Sequence, residues 1–365
     1  MKAWVLHGIG DIRYEEIKKP IIDEKEVLLR VRAAGICGSD IPRIYRDGAH
    51  NMPLVPGHEF SGEVVETGIS ADVNWIGRRV GVFPLIPCRK CLPCQKKQYE
   101  MCKGYSYLGS RRDGAFAEYV AVPEWNLIGL PDNVTFEQAA MLEPMSVAVH
   151  AMRRCMGPEI LGYNESAKNT VLVYGLGTIG LMLTMFLIEA GVDNILVIGN
   201  KPSQQDSILR LGIDVDNYCN SKDTDVKEWI MRKTDGYGVD FAFECVGRKE
   251  TFSDVIDLAA ASGRVMLVGN PYTDMMLEKN VYWMILRNQL TVLGTWNSSF
   301  TKEENDDWHY VLNRLKAGQI QPQKFITGRM SLDELEIGLT TMRDKTREYI
   351  KEMVALNNDC INFEG

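Results

Sequence analysis

Between Val171 and Ile188 the chain runs for 18 residues, VLVYGLGTIGLMLTMFLI, without a charge. That is about the lower length for a helix crossing a membrane. Glycines at 175, 177 and 180 split it into a β-rich run, a turn and a Leu/Met-rich run. The pattern is that of a buried strand entering a buried helix, not a membrane span. Gly-x-Gly-x-x-Gly in this setting has a mechanism. The first glycine makes the turn, the second admits a pyrophosphate close to the backbone, and the third lets the helix pack on the strand. The helix N-terminus then offers N–H groups and a positive dipole end to the phosphates. Gly175, Gly177 and Gly180, with the intervening Thr178 and Ile179, are therefore candidate dinucleotide-binding residues; a merely close-packed turn is the plain alternative.

The alternation extends from about residue 147 to 296. TVLVYG, NILVIG, VDFAFECVG, RVMLVG and LTVLG are short apolar runs ending at or near glycine, separated by helix-length segments. They predict an α/β domain, a doubly wound parallel sheet of the Rossmann kind over residues 147–296. Val268 and Gly269, which end one of these runs, join the cofactor candidates. Residues 1–146 read differently, as short Val/Leu-rich strands (KAWVLH, EVLLRVRAAG, GEVVETG, RRVGVFPL) between long loops. The polar, helical segment 297–365 ends in EYIKEMVAL and is expected to complete this first, β-rich domain.

Composition narrows the partners. The 365 residues carry 41 Lys+Arg against 49 Asp+Glu, a net charge of −8, which argues against nucleic acid or an anionic membrane as main partner. The opening MKAWVLHGIGDIRYEEIKK lacks the apolar core of a secretory signal. Nine cysteines, an odd count in a long chain, agree with a reducing compartment, so a cytoplasmic protein is expected.

Four of those cysteines cluster as Cys88-x2-Cys91-x2-Cys94-x7-Cys102. Short turns of this spacing let four thiolates converge on one zinc ion, and interleaved Arg89, Lys90, Lys96 and Lys97 offset their charge. Four sulfurs leave no open coordination position, so this site is structural. Cys37 in GICGSD and His58–Glu59 in VPGHEFSG form a second constellation, with Glu143 in MLEPMSVAVHA as a further carboxylate. A catalytic zinc needs about three protein ligands and one open position. Taken alone, a packed thiol and a surface ring account for Cys37 and His58 more simply. Ser39 either relays a proton or caps the helix begun by SDIPRI.

About 20 residues past the glycine turn, an acidic residue normally binds the adenosine ribose. Here the strand NILVI runs into Gly199-Asn200-Lys201-Pro202. A glycine makes room for a 2′-phosphate, and Lys201 offers it charge, which favours NADP over NAD. Tyr218 packs on the adenine or reaches that phosphate in this reading; a structural tyrosine serves equally.

Together these residues resemble the zinc-dependent medium-chain dehydrogenase/reductase family. GICGSD, the GHE of 57–59, the four-cysteine lobe, EYVAVP, the LEP of 142–144 and GLGTIG occur in that family's order over nearly the whole chain. The resemblance implies a chaperonin-10-like catalytic domain beside the Rossmann domain, two zinc ions per chain, and a homodimer or homotetramer. It implies Cys37, His58 and Glu143 as catalytic zinc ligands, with Glu59 ligating directly or through water. It implies Cys88, Cys91, Cys94 and Cys102 as the structural set. Glu143 in place of a further cysteine is similar to the polyol dehydrogenase branch. CGSDIPRIYRDGAH, GSRRDGAFAEY and GTW followed by ENDDW are similar to polyol-phosphate enzymes within it. GNKP departs from their acidic segment and is similar to the GSRP of NADP-dependent secondary alcohol dehydrogenases. The expected reaction interconverts a secondary alcohol of a polyol or polyol phosphate and a ketose, with hydride passing to NADP. Arg43, Arg46, Arg111 and Arg112 are candidates for a fork on a terminal phosphate, and Trp296 for a substrate contact. Solvated loop arginines are the plain alternative. The competing functions are a threonine or simple secondary-alcohol dehydrogenase, and a non-catalytic sensor that binds zinc and nucleotide.

Overall fold

Apolar β-branched and Leu-rich runs between turn residues form most of the first strands of the chain. The strands are β1 (Lys2–Gly8), β2 (Asp11–Glu16), β3 (Glu26–Ile36), β4 (Glu59–Thr67), β5 (Arg79–Val82), β6 (Leu85–Ile86), β7 (Ser106–Tyr107), β8 (Tyr119–Pro123) and β9 (Leu127–Gly129). Of these, β2, DIRYEE, and β7, SY, are polar. Nine of the eleven residues of β3 are buried, as expected for a strand covered on both faces. RRVGVFPL, which reads as one strand, is broken. Pro84 cannot donate to a ladder, and past it the chain leaves β5 to pair β6 with β7. That two-stranded ribbon closes the base of the four-cysteine lobe and fixes Tyr107 opposite Leu85.

The computed structural model describes residues 1–157 and 169–356. Two compact units result, Met1–Glu143 with Ser299–Gly365, and Pro144–Ser298. The second unit carries β10 (Val171–Tyr174), β11 (Ile195–Gly199), β12 (Tyr218–Asn220), β13 (Val239–Glu244), β14 (Ala259–Leu267) and β15 (Thr291–Gly294). All pair in parallel in the order β12-β11-β10-β13-β14-β15. Every residue of β10 and β11 is buried, and so is each residue from Gly180 to Leu187 in the following helix, Thr178–Glu189. The uncharged stretch is thus a strand, turn and helix, and no helix among the described residues is long and apolar enough to cross a membrane. β12 is the strand that sequence pattern missed: three residues, YCN, give periodicity nothing to register. The order reverses between β10 and β13, the switch point where open sheets of this kind take ligands.

The chain then returns to the first unit with β16 (Ile326–Met330) and β17 (Lys351–Ala355). β17 pairs antiparallel with β3, Glu352 opposite Ile36. The sheet order is β16-β17-β3-β4-β5-β9, with β8 also on β3. Val27, Leu29, Val31, Ala34 and Ile36 of β3 join Phe60, Val64, Phe116 and Val354 in one buried cluster. Burial of each large side chain there contributes about 1.5–3 kcal/mol. The register sets Lys351 beside the carboxyl end of β3, one residue before Cys37.

Candidate active site and metal centres

Cys37 follows directly on β3, His58 directly precedes β4, and Glu59 opens β4. Antiparallel pairing of Gly35 with Glu59 brings the three together: their donor atoms all lie within 4.8 Å of one another. His58 and Glu59 are buried. Asp40, fully buried, accepts the Cys37 backbone N–H at 3.0 Å and the Arg43 guanidinium at 2.5 Å. Its Oδ1 stands 3.3 Å from His58 Nδ1. A carboxylate there orients the ring and leaves Nε2 to a metal. Burial works against an imidazolium at His58, but Asp40 and then Cys37 outweigh it and hold the pKa well above the ordinary histidine range.

Glu143, in the first turn of the helix Leu142–Met156, stands outside the 4.8 Å set and accepts the Tyr107 hydroxyl at 3.1 Å. Burial pushes its carboxyl up to about 7; His58 lowers it and Glu59 raises it, which places Glu143 beside the same cluster. Tyr107 also meets the His58 ring edge-on, centroids 5.8 Å apart. Lys351 pairs with Glu59 and donates to the Ile36 carbonyl at 3.0 Å. Burial opposes its charge, yet Glu59 and Cys37 keep its pKa above the usual lysine value. Ser39 makes no cap bond; its hydroxyl donates to Cys37 Sγ at 3.3 Å, so it belongs to the cluster and not to a helix start.

Sequence reasoning missed Asp40, Tyr107 and Lys351. The visible signals were an acid three residues after Cys37 and a lysine opening the apolar run KEMVA.

The four-cysteine lobe fits its ion on geometry. The four sulfurs lie within 4.8 Å of one another, Cys91 Sγ being 3.5 Å from that of Cys94 and 3.9 Å from that of Cys102. Zn–S bonds of about 2.3 Å in a tetrahedron put sulfurs about 3.8 Å apart. Backbone N–H groups of Lys90 and Cys91 lower Cys88 to about 6, and those of Cys94 and Lys103 lower Cys91. Burial drives Cys94 up to about 12, a cost that a bound dication offsets. Cys91→Ser should lose one zinc and lower the melting temperature by several degrees, because a closed site one ligand short surrenders folding free energy; a melting curve with metal analysis checks it.

In the second unit, Gly175 has φ of +100°, and a Cβ there would strike Val246 and the Cys245 backbone. A Cβ on Gly180 would strike the Gly175 carbonyl, while Gly177 faces open space. Gly177 precedes the helix without a side-chain cap. Thr178 and Ile179 open that helix. Val268 and Gly269, just past β14, both donate to the Glu244 carbonyl, at 2.8 and 2.9 Å. Gly199 ends β11, Asn200 donates its N–H to Gln204 at 2.9 Å, Lys201 precedes the helix Pro202–Arg210, and Tyr218 opens β12 beside Gly199. Trp296 is 52% exposed, two residues past β15.

The four arginines part company. Arg43 holds Asp40 and Arg112 holds the buried Glu26 at 2.7 Å, while Arg46 pairs with exposed Asp47. Arg111 lies over the Tyr105 ring at 4.6 Å. Burial, then Arg111 and Arg43, lower the pKa of His50 and favour its neutral form, which sets both arginines near a histidine that sequence reading did not single out.

Comparison with known proteins agrees with this geometry. Residues 23–132 match the alcohol dehydrogenase GroES-like domain, and 178–317 match the zinc-binding dehydrogenase domain. Galactitol 1-phosphate 5-dehydrogenase of Escherichia coli K12 is 30% identical over 98% of this chain and 99% of that enzyme. Sorbitol dehydrogenase of Bacillus subtilis is 28% identical over 98% of both. The crystal structure of a zinc-binding dehydrogenase from Sinorhizobium meliloti 1021 bound to NADP superposes with a TM-score of 0.85 at 26% identity, covering 97% of this chain and 98% of that one. With its GroES-like and Rossmann units and its cysteine, histidine and carboxylate clusters, this chain belongs to the zinc-dependent medium-chain dehydrogenases, as an oxidoreductase of their polyol dehydrogenase branch.

Proposed function

We propose that the protein oxidises a secondary alcohol of a polyol phosphate to the ketose, reversibly, with NADP as hydride acceptor and two zinc ions per chain. The observation that carries this reading is the convergence of Cys37, His58 and Glu59 within 4.8 Å, with Glu143 beside them. Zinc held there supplies Lewis acidity to a substrate hydroxyl, and the nicotinamide supplies the carbon that takes hydride. Cys37 and His58 would anchor the metal, and the Asp40 carboxylate, 3.3 Å from His58 Nδ1, favours the ring proton on that side. A carboxylate completes the ligand set: Glu59 lies inside the 4.8 Å set, and Glu143 stands beside it. In this reading Ser39, whose hydroxyl donates to the Cys37 sulfur, relays the proton that the substrate hydroxyl releases.

Two features support a phosphorylated substrate: the relative acting on galactitol 1-phosphate, and the Arg43, Arg111 and His50 group, which Arg43 joins to Asp40 and so to His58. Arg111 is the member whose guanidinium no carboxylate claims as an ion pair among the described residues. Arg111→Ala should raise KM for hexitol phosphates about tenfold and leave free polyols unchanged, a charge-assisted bond being worth about 1.5–3 kcal/mol. A spectrophotometric screen of polyols and their phosphates with each nicotinamide cofactor tests the whole reading; free polyols reacting as well as phosphates would reduce it to a general polyol dehydrogenase. The homodimer or homotetramer reading is supported by the edge strand β15 and by exposed Tyr282, Trp283 and Leu286 on the helix Lys279–Arg287.

Metal affinity should depend on pH through Glu143. Its folded pKa, about 7, lies above the ordinary 4.5. In metal-free protein its contribution to stability is therefore complete at acid pH and lost as pH rises through about 7, where the buried carboxyl must ionise. Zinc requires that ionised form, so the labile zinc should be held more tightly at about pH 8 than at about pH 6. Chelator competition at the two pH values checks this, with Glu143→Gln expected to reduce the difference and leave the part due to proton loss from His58.

A further inference from the structure

Glu244 ends β13 at the point where the sheet order reverses. In register it lies beside Tyr174 of β10 and Leu267 of β14, so the turns leaving three strands meet around it. It is 2% exposed. Its Oε1 accepts the backbone N–H groups of Val246 and Gly247, both at 2.9 Å, and the Thr251 hydroxyl at 2.7 Å; Oε2 lies 3.2 Å from the Gly247 nitrogen. No lysine, arginine or histidine pairs with it among the described residues. A buried carboxylate without a cation is held by its donors, and charge-assisted bonds of this kind are about twice as strong as neutral ones.

The loops after β13 and β14 also press on each other. The Glu244 main-chain carbonyl accepts from Val268 and Gly269. Gly247 has φ of +79°; a Cβ there would strike the Asn270 carbonyl, and a Cβ on Gly269 would strike the Gly247 nitrogen. On the other side, a Cβ on Gly175 would strike the Val246 side chain. The segment from Cys245 to Gly247 is thus wedged between the glycine turn and the Val268–Asn270 loop, and the Glu244 carboxylate sets its path. With a pyrophosphate on the glycine turn after β10 and the adenosine ribose at the end of β11, the other half of a dinucleotide crosses to the β13–β14 side.

We propose that Glu244 is a positioning residue for the cofactor: its carboxylate fixes the Val246–Gly247 backbone, and through it the Val268–Asn270 loop, in the shape that receives the nicotinamide half. This rests on the dinucleotide reading of the glycine turn given above, and not on the choice between NADP and NAD.

The test is ligand binding by full-length protein, with NADPH followed by its fluorescence and adenosine 2′,5′-bisphosphate, which lacks the nicotinamide half, by calorimetry. Glu244→Leu, which has no acceptor, should raise the Kd for NADPH about tenfold or more and that for the bisphosphate less than about twofold. Glu244→Gln, whose carbonyl can replace Oε1, should stay within about threefold of wild type for both. A residue that only stabilises the fold would move the two ligands together. Equal losses for the two ligands, or NADPH binding by Glu244→Leu equal to wild type, would overturn the proposal. If Glu244→Leu does not fold, Thr251→Val, which removes one of the donors, takes its place under the same two criteria, with a loss of about threefold expected for NADPH alone. NADH with AMP is run as a second pair, so a preference for NAD leaves the comparison intact. Wild-type protein that binds neither dinucleotide would instead overturn the dinucleotide reading itself.

Discussion

Cys37→Ser should reduce kcat by about 10³-fold or more while leaving a folded protein with one zinc instead of two, since the Lewis acid that activates the hydroxyl is lost with its thiolate anchor. The fold has little to lose at this position. Cys37 is partly exposed, and its backbone N–H keeps Asp40 whichever side chain it carries. A zinc in the lobe would be held by other residues from a different segment, 88–102, so its content should not change. Replacing His58 should give the same loss of activity with a larger stability penalty, because Asp40 would then keep only Arg43 as a charged partner in a fully buried setting. Zinc analysis beside turnover decides the matter. A fully active preparation holding at most one zinc per chain would end the two-site reading.

The legibility of this molecule in its sequence follows the range over which each signal acts. The glycine turn and the four-cysteine lobe are local: all their chemistry lies within about one supersecondary unit, and both appear where pattern and spacing put them. Cys37, His58 and Glu59 were legible as residue types, but what joins them is sheet register, Gly35 opposite Glu59, and Glu352 opposite Ile36 brings Lys351 to them. No periodicity in a single chain reports which strand from residue 350 lies beside one from residue 30. Lys351 was therefore invisible as a partner of Glu59, although a lysine entering an apolar strand was in plain view. Tyr107 was hidden for a related reason. It is placed by a two-residue ribbon, β6 with β7, that begins where Pro84 breaks what reads as one continuous strand. The arginines show the converse failure. Sequence put four cations near one another, but their carboxylate partners decide which guanidinium remains for a ligand: Asp40 and Asp47 are close in sequence, whereas Glu26 reaches Arg112 only through the fold.

Gly199→Asp should lower the ratio of kcat/KM for NADP to that for NAD by roughly 10²-fold, two facing anions being worth several kcal/mol. An aspartate there would repel the 2′-phosphate and accept from the ribose hydroxyls of NAD. The structure adds a steric cost that charge alone does not show. A Cβ on Gly199 would lie 2.8 Å from Gln204 Oε1 and 3.1 Å from Leu176 Cδ1 and Tyr218 Cε2. The glutamine can swing away, but its oxygen accepts the Asn200 N–H at 2.9 Å, a bond worth about 1 kcal/mol. Tyr218, buried in β12, has less freedom. The single variant should therefore lose activity with both cofactors, and far more with NADP. Gly199→Asp/Gln204→Ala should recover NAD-linked activity by relieving the clash, without restoring NADP. Lys201→Ala should weaken NADP by about tenfold and spare NAD, its charge acting on the phosphate through partly screening solvent. Steady-state kinetics with both cofactors across these variants measures each term separately. Wild-type protein that uses NAD as well as NADP would show that the glycine serves the packing of Tyr218 and Gln204 and not a 2′-phosphate.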